Sequence, residues 1–277
     1  MTELIKIAQH YGVNGLRARI ERALEAAGLA NGKLSSSDLA ALDQFHSRGM
    51  AATVDLAARL EIDRNMVVLD VGSGLGGPSR YIAENFGCSV HGIDLSPEFV
   101  EAARYLAERA GLEKLVSYEC GNALSLPFDA ESFDLVWTQH VAMNISDRSK
   151  LHGEIYRVLK PAGRLAIYDV VAGENGPIVF PVPWARDPDC SFVVSGESMR
   201  QTLESLRFNV ASWIDRTEVA IAWFAERQQS QASTPQPLGL HVAMGSDFGV
   251  LSANLGRNLR EGRAGIIEAV FVKSVAL

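Results

Sequence analysis

The sequence predicts an α/β protein in which a parallel sheet is covered by helices on both faces. Three observations carry that expectation. Apolar runs of strand length alternate with amphipathic helical segments from residue 66 to residue 171. A strand, a glycine-rich turn and a helix follow one another in "VVLDVGSGLGGPSRYI", residues 67–82. An apolar stretch, "AGIIEAVFVKSV", closes the chain as a further strand.

The elements follow in order. Residues 1–62 read as helical, with Leu4, Ile7, Ala8 and Tyr11, then Leu16, Ile20, Ala23 and Ala27, at helical spacing. Asp38 is placed to cap a helix carrying Leu39, Leu42, Met50, Val54 and Ala57. "MVVLDV" is a strand, and Pro78 suits the first turn of the helix that runs to Phe86. "SVHGID" is a strand, and the next helix has a Ser96 cap, Pro97 in its first turn and Gly111 after its end. "LVSYEC" and "SFDLVWTQ" are strands. "DRSKLHGEIYRVLK" is amphipathic through Leu151, Ile155, Val158 and Leu159, and it stops at "PAG", residues 161–163. "RLAIYDVV" is the next strand. The Pro- and Gly-rich residues 172–196 then break the rhythm. A helix over Glu197–Leu206, a strand over Phe208–Ile214, a helix over Val219–Glu226, the polar link "QQSQASTPQP" and a helical stretch to about Arg260 precede the last strand.

The chain has 277 residues, 47% apolar and 21% charged, as in soluble globular proteins. No apolar run approaches the ~18 residues of a membrane span. The interspersed charges of the first residues do not make a signal peptide, so a cytoplasmic location without a membrane partner is expected. Three cysteines, Cys88, Cys120 and Cys190, show no metal-ligand spacing and read as buried free thiols in a reducing compartment. A net charge of −7 without a Lys/Arg cluster argues against a nucleic-acid partner. A homo-oligomer is left open.

Ligands of open parallel sheets bind beyond the carboxyl ends of the strands. Asp70, the glycine turn, Asp94, Asn122 and Gln139–His140 all fall there. The turn fits G-x-G-x-x-G at Gly72, Gly74 and Gly77, a pattern that is weak alone. Asp94 can take both hydroxyls of a ribose, which suits NAD and S-adenosylmethionine equally. Asp70 separates them if it faces the turn. Its charge would then repel a pyrophosphate and help hold the ammonium of S-adenosylmethionine, directly or through water. Capping neighbouring amides is its plainer role.

"VLDVGSGLGG", "GIDLSPEFVEAA", "GNALSLPF", "FDLVWTQHVAMNI" and "EIYRVLKPAGRLAIYDV" resemble, in order and spacing, the motifs of class I S-adenosylmethionine-dependent methyltransferases. Within that family the chain looks most like the small-molecule enzymes of the sarcosine/dimethylglycine and ubiquinone-biosynthesis type. The resemblance covers about residues 64–170. It implies a Rossmann-like, seven-stranded, mostly parallel sheet whose last strand is antiparallel. Residues 1–62 are expected to form a helical N-terminal lid before a core at 63–277, and the insertions at about 171–196 and 218–263, which leave the sheet after the fifth and sixth strands at its ligand edge, are expected to form the acceptor pocket. The resemblance also implies S-adenosylmethionine as cofactor and a small-molecule methyl acceptor. Gly72, Ser73 and Gly74 would contact the methionine part, Asp94 the ribose and Leu95 the adenine face. Asn122 and Ala123 would meet the adenine edge, and Gln139 the methionine end. Many family members have an acid at the Asn122 position.

Methyl transfer asks the protein for alignment, a dry pocket and, for some acceptors, a base. His140, after the fourth strand, is the best-placed base, against a structural role in bonding backbone. His152 reads as a surface residue. Asp169 binds substrate or satisfies a loop. Gln44, His46 and Arg48 put polar groups on an apolar helical segment; the resemblance, in which an N-terminal segment closes the cofactor pocket, implies that Arg48 would pair with the cofactor carboxylate, and a solvated helix face is the alternative. Trp184 and Arg186, in the proline-stiffened "FPVPWARDP", are candidates for the acceptor wall. No histidine spacing suggests a metal. Two other readings stay open: an NAD-dependent oxidoreductase on the same turn, and a catalytically silent scaffold that binds the cofactor.

Overall fold

The computed structural model describes residues 15–230 and 236–275. The helical spacing at Leu4–Tyr11, with His10, lies outside these residues, as does part of the polar link. Among the described residues three helices precede the sheet: α1 (Leu16–Ala26), α2 (Ser36–Asp43) and α3 (Met50–Ala57). Then come β1 (Val67–Val71), α4 (Gly77–Phe86), β2 (Ser89–Asp94), α5 (Pro97–Ala110), β3 (Val116–Cys120), β4 (Phe133–Gln139), α6 (Arg148–Val158) and β5 (Leu159–Ala172). The last part holds α7 (Gly196–Ser205), β6 (Phe208–Asp215), α8 (Thr217–Ser230), α9 (His241–Met244), α10 (Phe248–Arg260) and β7 (Ala264–Lys273).

The seven strands form one sheet in the order β3-β2-β1-β4-β5-β7-β6. The first five pair in parallel, and β7 runs antiparallel to both neighbours. Alternate residues of each strand enter opposite cores. Val68 and Trp137 join Ile82, Ala103, Phe224 and Leu255 on one face, under α3, α4, α5, α8 and α10. Leu69 and Val136 join Leu151, Ile155 and Leu203 on the other, under α6 and α7. Burial on both faces explains why the strands read as near-continuous apolar runs. A third cluster packs Leu16, Ile20, Leu39 and Leu42 against Phe99 and Leu106, which fastens the N-terminal helices to α5.

Several expectations are corrected. The helical run from Leu39 to Ala57 is broken at residues 44–49, where Arg48 and Gly49 have φ of 67° and 52°. His46 Nε2 lies 2.9 Å from the Gly49 carbonyl oxygen and holds that turn. Ser35, not Asp38, caps α2. Its Oγ accepts from Asp38 N while Asp38 Oδ2 accepts from Ser35 N, a reciprocal capping box. The "PAG" segment lies within β5, paired across a register shift to β4, rather than ending a helix. Cys88 alone of the thiols is buried; Cys120 is exposed and Cys190 half-buried. His152 is buried at 3% exposure, because α6 turns it under the sheet rather than to solvent. Among the described residues no helix is long and apolar enough to cross a membrane.

Candidate functional site

The chain leaves β1 toward β2 on one side and returns at β4 on the other, so the sheet has its switch point at the ends of β1 and β4. A cavity opens there, lined by Gly72, Gly74, Asp94, Leu95, Asn122, Ala123, Gln139, His140 and Trp184. Phe45, Phe99, Met143, Met244 and Phe248 complete its apolar walls.

The glycine turn is tied to β2: Gly72 N and Ser73 N both donate to Ile93 O, at 2.8 and 3.1 Å. Gly72 has φ 72°, and a Cβ there would fall 2.5 Å from Val141 Cγ2. Gly74, with φ 53°, turns its N–H to Asp94 Oδ2 at 2.9 Å. Asp94 Oδ1 accepts from Ser96 N at 2.9 Å. Burial raises the Asp94 carboxyl above its ordinary pKa, and those amides oppose the shift. Each carboxylate oxygen keeps acceptor capacity toward the cavity. Asn122 Oδ1 accepts from Leu124 N at 2.9 Å, which keeps one lone pair for a second donor.

Gln139 ends β4. Its Oε1 accepts from Trp137 Nε1 at 2.9 Å and lies 3.2 Å from Thr53 Oγ1. An indole N–H only donates, so this contact fixes which way the amide faces. Gln139 Nε2 is buried and has no hydrogen-bond partner among the described residues. His140 follows with φ 53°, its N donating to Tyr168 O at 2.9 Å. The imidazole stacks on the Tyr168 ring at 5.7 Å and 12°. His140 Nε2 is 3.5 Å from Ser47 Oγ, which is 3.3 Å from Tyr168 Oη. Desolvation, then His46 nearby, pushes the His140 pKa well below 6.5.

Four candidates do not line the cavity. Asp70 is buried beneath the turn, and its Oδ2 accepts from Ser79 Oγ at 2.5 Å. Burial pushes its pKa up to about 7. Ser73 Oγ points back toward Gly92, because the turn directs that side chain under the strand. Arg48 Nη2 donates to Asp55 Oδ2 at 2.7 Å, since the broken helix carries it onto α3. Arg186 pairs with Asp247 at the start of α10, at the surface. Trp184 does line the cavity, fully buried, with Nε1 donating to Ser191 Oγ at 2.9 Å. Asp169 satisfies a loop: it accepts from Ala142 N and Val170 N at 3.0 and 2.9 Å.

Sequence reasoning missed Arg80. It is fully buried and donates to Leu75 O in the glycine turn at 2.7 Å and to Asp43 Oδ2 at 2.6 Å. An arginine two residues before Ile82, on the buried side of α4, was the available signal. Ser47 was also missed, because the helical reading hid the turn that aims it at Tyr168. Among the described residues no group of three or more His, Cys, Asp or Glu side chains gathers around a metal-sized space.

Residues 69–167 match the family described as a methyltransferase domain. Methyltransferase GfsG of Streptomyces halstedii is 37% identical over 134 residues, 48% of each chain. The geranyl diphosphate C-methyltransferase of Streptomyces coelicolor A3(2), solved with S-adenosyl-L-homocysteine, superposes with a TM-score of 0.70 at 17% identity, covering 99% of this chain and 98% of that one. The [4+2]-cyclase SpnF superposes with a TM-score of 0.69 at 24% identity, covering 100% and 98%. This chain spans about half the length of GfsG and less of several other curated relatives. The structural likenesses establish the fold.

Proposed function

We propose that this chain, a class I S-adenosylmethionine-dependent methyltransferase by its fold and its domain at residues 69–167, transfers a methyl group to a small-molecule acceptor. The observation that carries the reading is Asp94. Its two oxygens hold one amide of the glycine turn and one of the following loop, and each keeps a lone pair for a ribose hydroxyl.

The rest of the cavity fits the same cofactor. Gly72 and Gly74 let backbone approach the methionine part. The unpartnered Nε2 of Gln139 suits its carboxylate, because a buried donor without a partner costs about 1–3 kcal/mol. Leu95 would lie against adenine, with Asn122 and Ala123 at its edge. Among the described residues no Lys or Arg lines this cavity and its one carboxylate is Asp94, which suits a sulfonium better than a pyrophosphate. When bound, the cofactor supplies an electrophilic methyl carbon, and the C–S electron pair returns to sulfur as the acceptor's lone pair forms the new bond. His140 is the group placed to take the acceptor's proton. The N-terminal helices and the 173–195 loop serve as a lid that keeps water out, with Trp184 as acceptor wall.

Calorimetric titration of the full chain with S-adenosylhomocysteine and with NADH tests the reading. Binding of the first and not the second is expected. The opposite result overturns it in favour of an oxidoreductase.

A further inference from the structure

Trp137 and Gln139 stand two residues apart on β4 and so share a face of the sheet. Trp137 is fully buried there, while Gln139 reaches the strand's carboxyl end and lines the cofactor cavity. We propose that Trp137 is a positioning residue for the cofactor: its indole N–H holds the Gln139 amide so that Nε2, and not Oε1, meets the methionine carboxylate. The inference rests on the methyl-transfer reading and deepens it by assigning a role to a side chain beneath the cavity wall.

The direction of each hydrogen bond comes first. An indole N–H only donates, and Gln139 Oε1 lies 2.9 Å from Trp137 Nε1. Turning the amide over would set two N–H groups against each other at that distance. Thr53 Oγ1, 3.2 Å from the same oxygen, does not fix the amide, because a hydroxyl can donate to an oxygen or accept from an N–H. Its single proton also has a nearer carbonyl in Gln44 Oε1, at 2.7 Å. Trp137 is therefore the group that decides the orientation.

Burial supplies the consequence. Gln139 is 9% exposed, and its Nε2 has no hydrogen-bond partner among the described residues. A buried donor held in this way is preorganised for an anionic acceptor. The reversed amide would present a carbonyl oxygen to the carboxylate, and the two negative ends would repel. Without the indole N–H that reversed state gains a partner of its own, since Nε2 would then face Thr53 Oγ1. The cofactor would have to break that contact before it bound.

The test is calorimetry on the full chain with S-adenosylhomocysteine and with its decarboxylated analogue, which keeps the amine and lacks the carboxylate. Wild type should bind S-adenosylhomocysteine about tenfold tighter than the analogue or better, the scale of one hydrogen bond to a charged group. Trp137→Phe should cut that ratio about fivefold or more and leave the analogue's affinity within about twofold, because only the carboxylate contact is lost. A merely structural role would weaken both ligands alike and keep the ratio. If Trp137→Phe fails to fold, benzothienylalanine at position 137, which keeps the ring and replaces N–H by sulfur, takes its place. Equal wild-type affinity for the two ligands, or a folded variant with the wild-type ratio, overturns the proposal. Failure of wild type to bind S-adenosylhomocysteine strikes the underlying reading instead, so the two failures are told apart.

Discussion

Arg80 and Asp43, 37 residues apart, form an ion pair of 2.6 Å with both side chains almost fully buried. The pair joins α2 to the helix that follows the glycine turn, and Arg80 Nη1 also holds Leu75 O inside the turn. Removing one partner leaves the other charge uncompensated in the core. Arg80→Ala should therefore lower stability by about 3–5 kcal/mol. Chemical denaturation measures it, and a loss under 1 kcal/mol would show that the pair is dispensable.

Asp94→Ala should weaken S-adenosylhomocysteine binding. Hydrogen bonds to a charged group are each worth about 1.5–3 kcal/mol, so two of them predict a loss of at least tenfold. Gly74→Val should weaken binding too, since φ of 53° is strained for a β-branched residue. Unchanged calorimetric affinity in a folded Asp94→Ala protein refutes the ribose assignment.

His140→Asn keeps a residue that tolerates the left-handed backbone at this position. Cofactor affinity should stay near wild type while turnover falls about 10²-fold, the usual scale for a lost general base. The pH dependence carries a second signature. Because burial holds the imidazole pKa well below 6.5, His140 is neutral throughout the neutral range. Turnover should show no His140 limb near pH 6.5, only one at lower pH. A wild-type limb at 6.5 that disappears in the variant contradicts the burial effect.

Asp70 makes stability depend on pH. Its folded pKa, about 7, lies above the unfolded value of ~3.9. The folded state therefore binds the extra proton between those values, and stability is lost as pH rises through about 7. Relative to Asp70→Asn, wild type should lose up to about 1.4 kcal/mol per pH unit between about pH 4 and 7. His46 and His152 act oppositely: their folded pKa values, about 4 and about 3, remove stability as pH falls below ~6.5. The difference between wild type and Asp70→Asn isolates the aspartate, and a flat difference curve rejects its raised pKa.

The sequence by itself determined the sheet and the strand ends at which the cavity opens. Strand runs such as "VVLDV" are apolar because both faces are buried, and helices such as 97–110 carry their own cap, proline and terminal glycine. These signals are local, so they survive without tertiary information. The turn glycines and Asp94 were legible for the same reason. What the tertiary structure decided is the aim of side chains that depend on distant segments. Arg48, Arg186 and Asp70 carry the right chemistry for a ligand, yet Asp55, Asp247 and Ser79 hold them. Arg80 carried no reading from the sequence, because its partner Asp43 arrives from α2. His140 kept its expected place, but its basicity was set by burial against Tyr168 and by His46 from the 44–49 turn. Hydrogen bonds and desolvation depend on which groups meet in space, and a one-dimensional pattern does not contain those meetings.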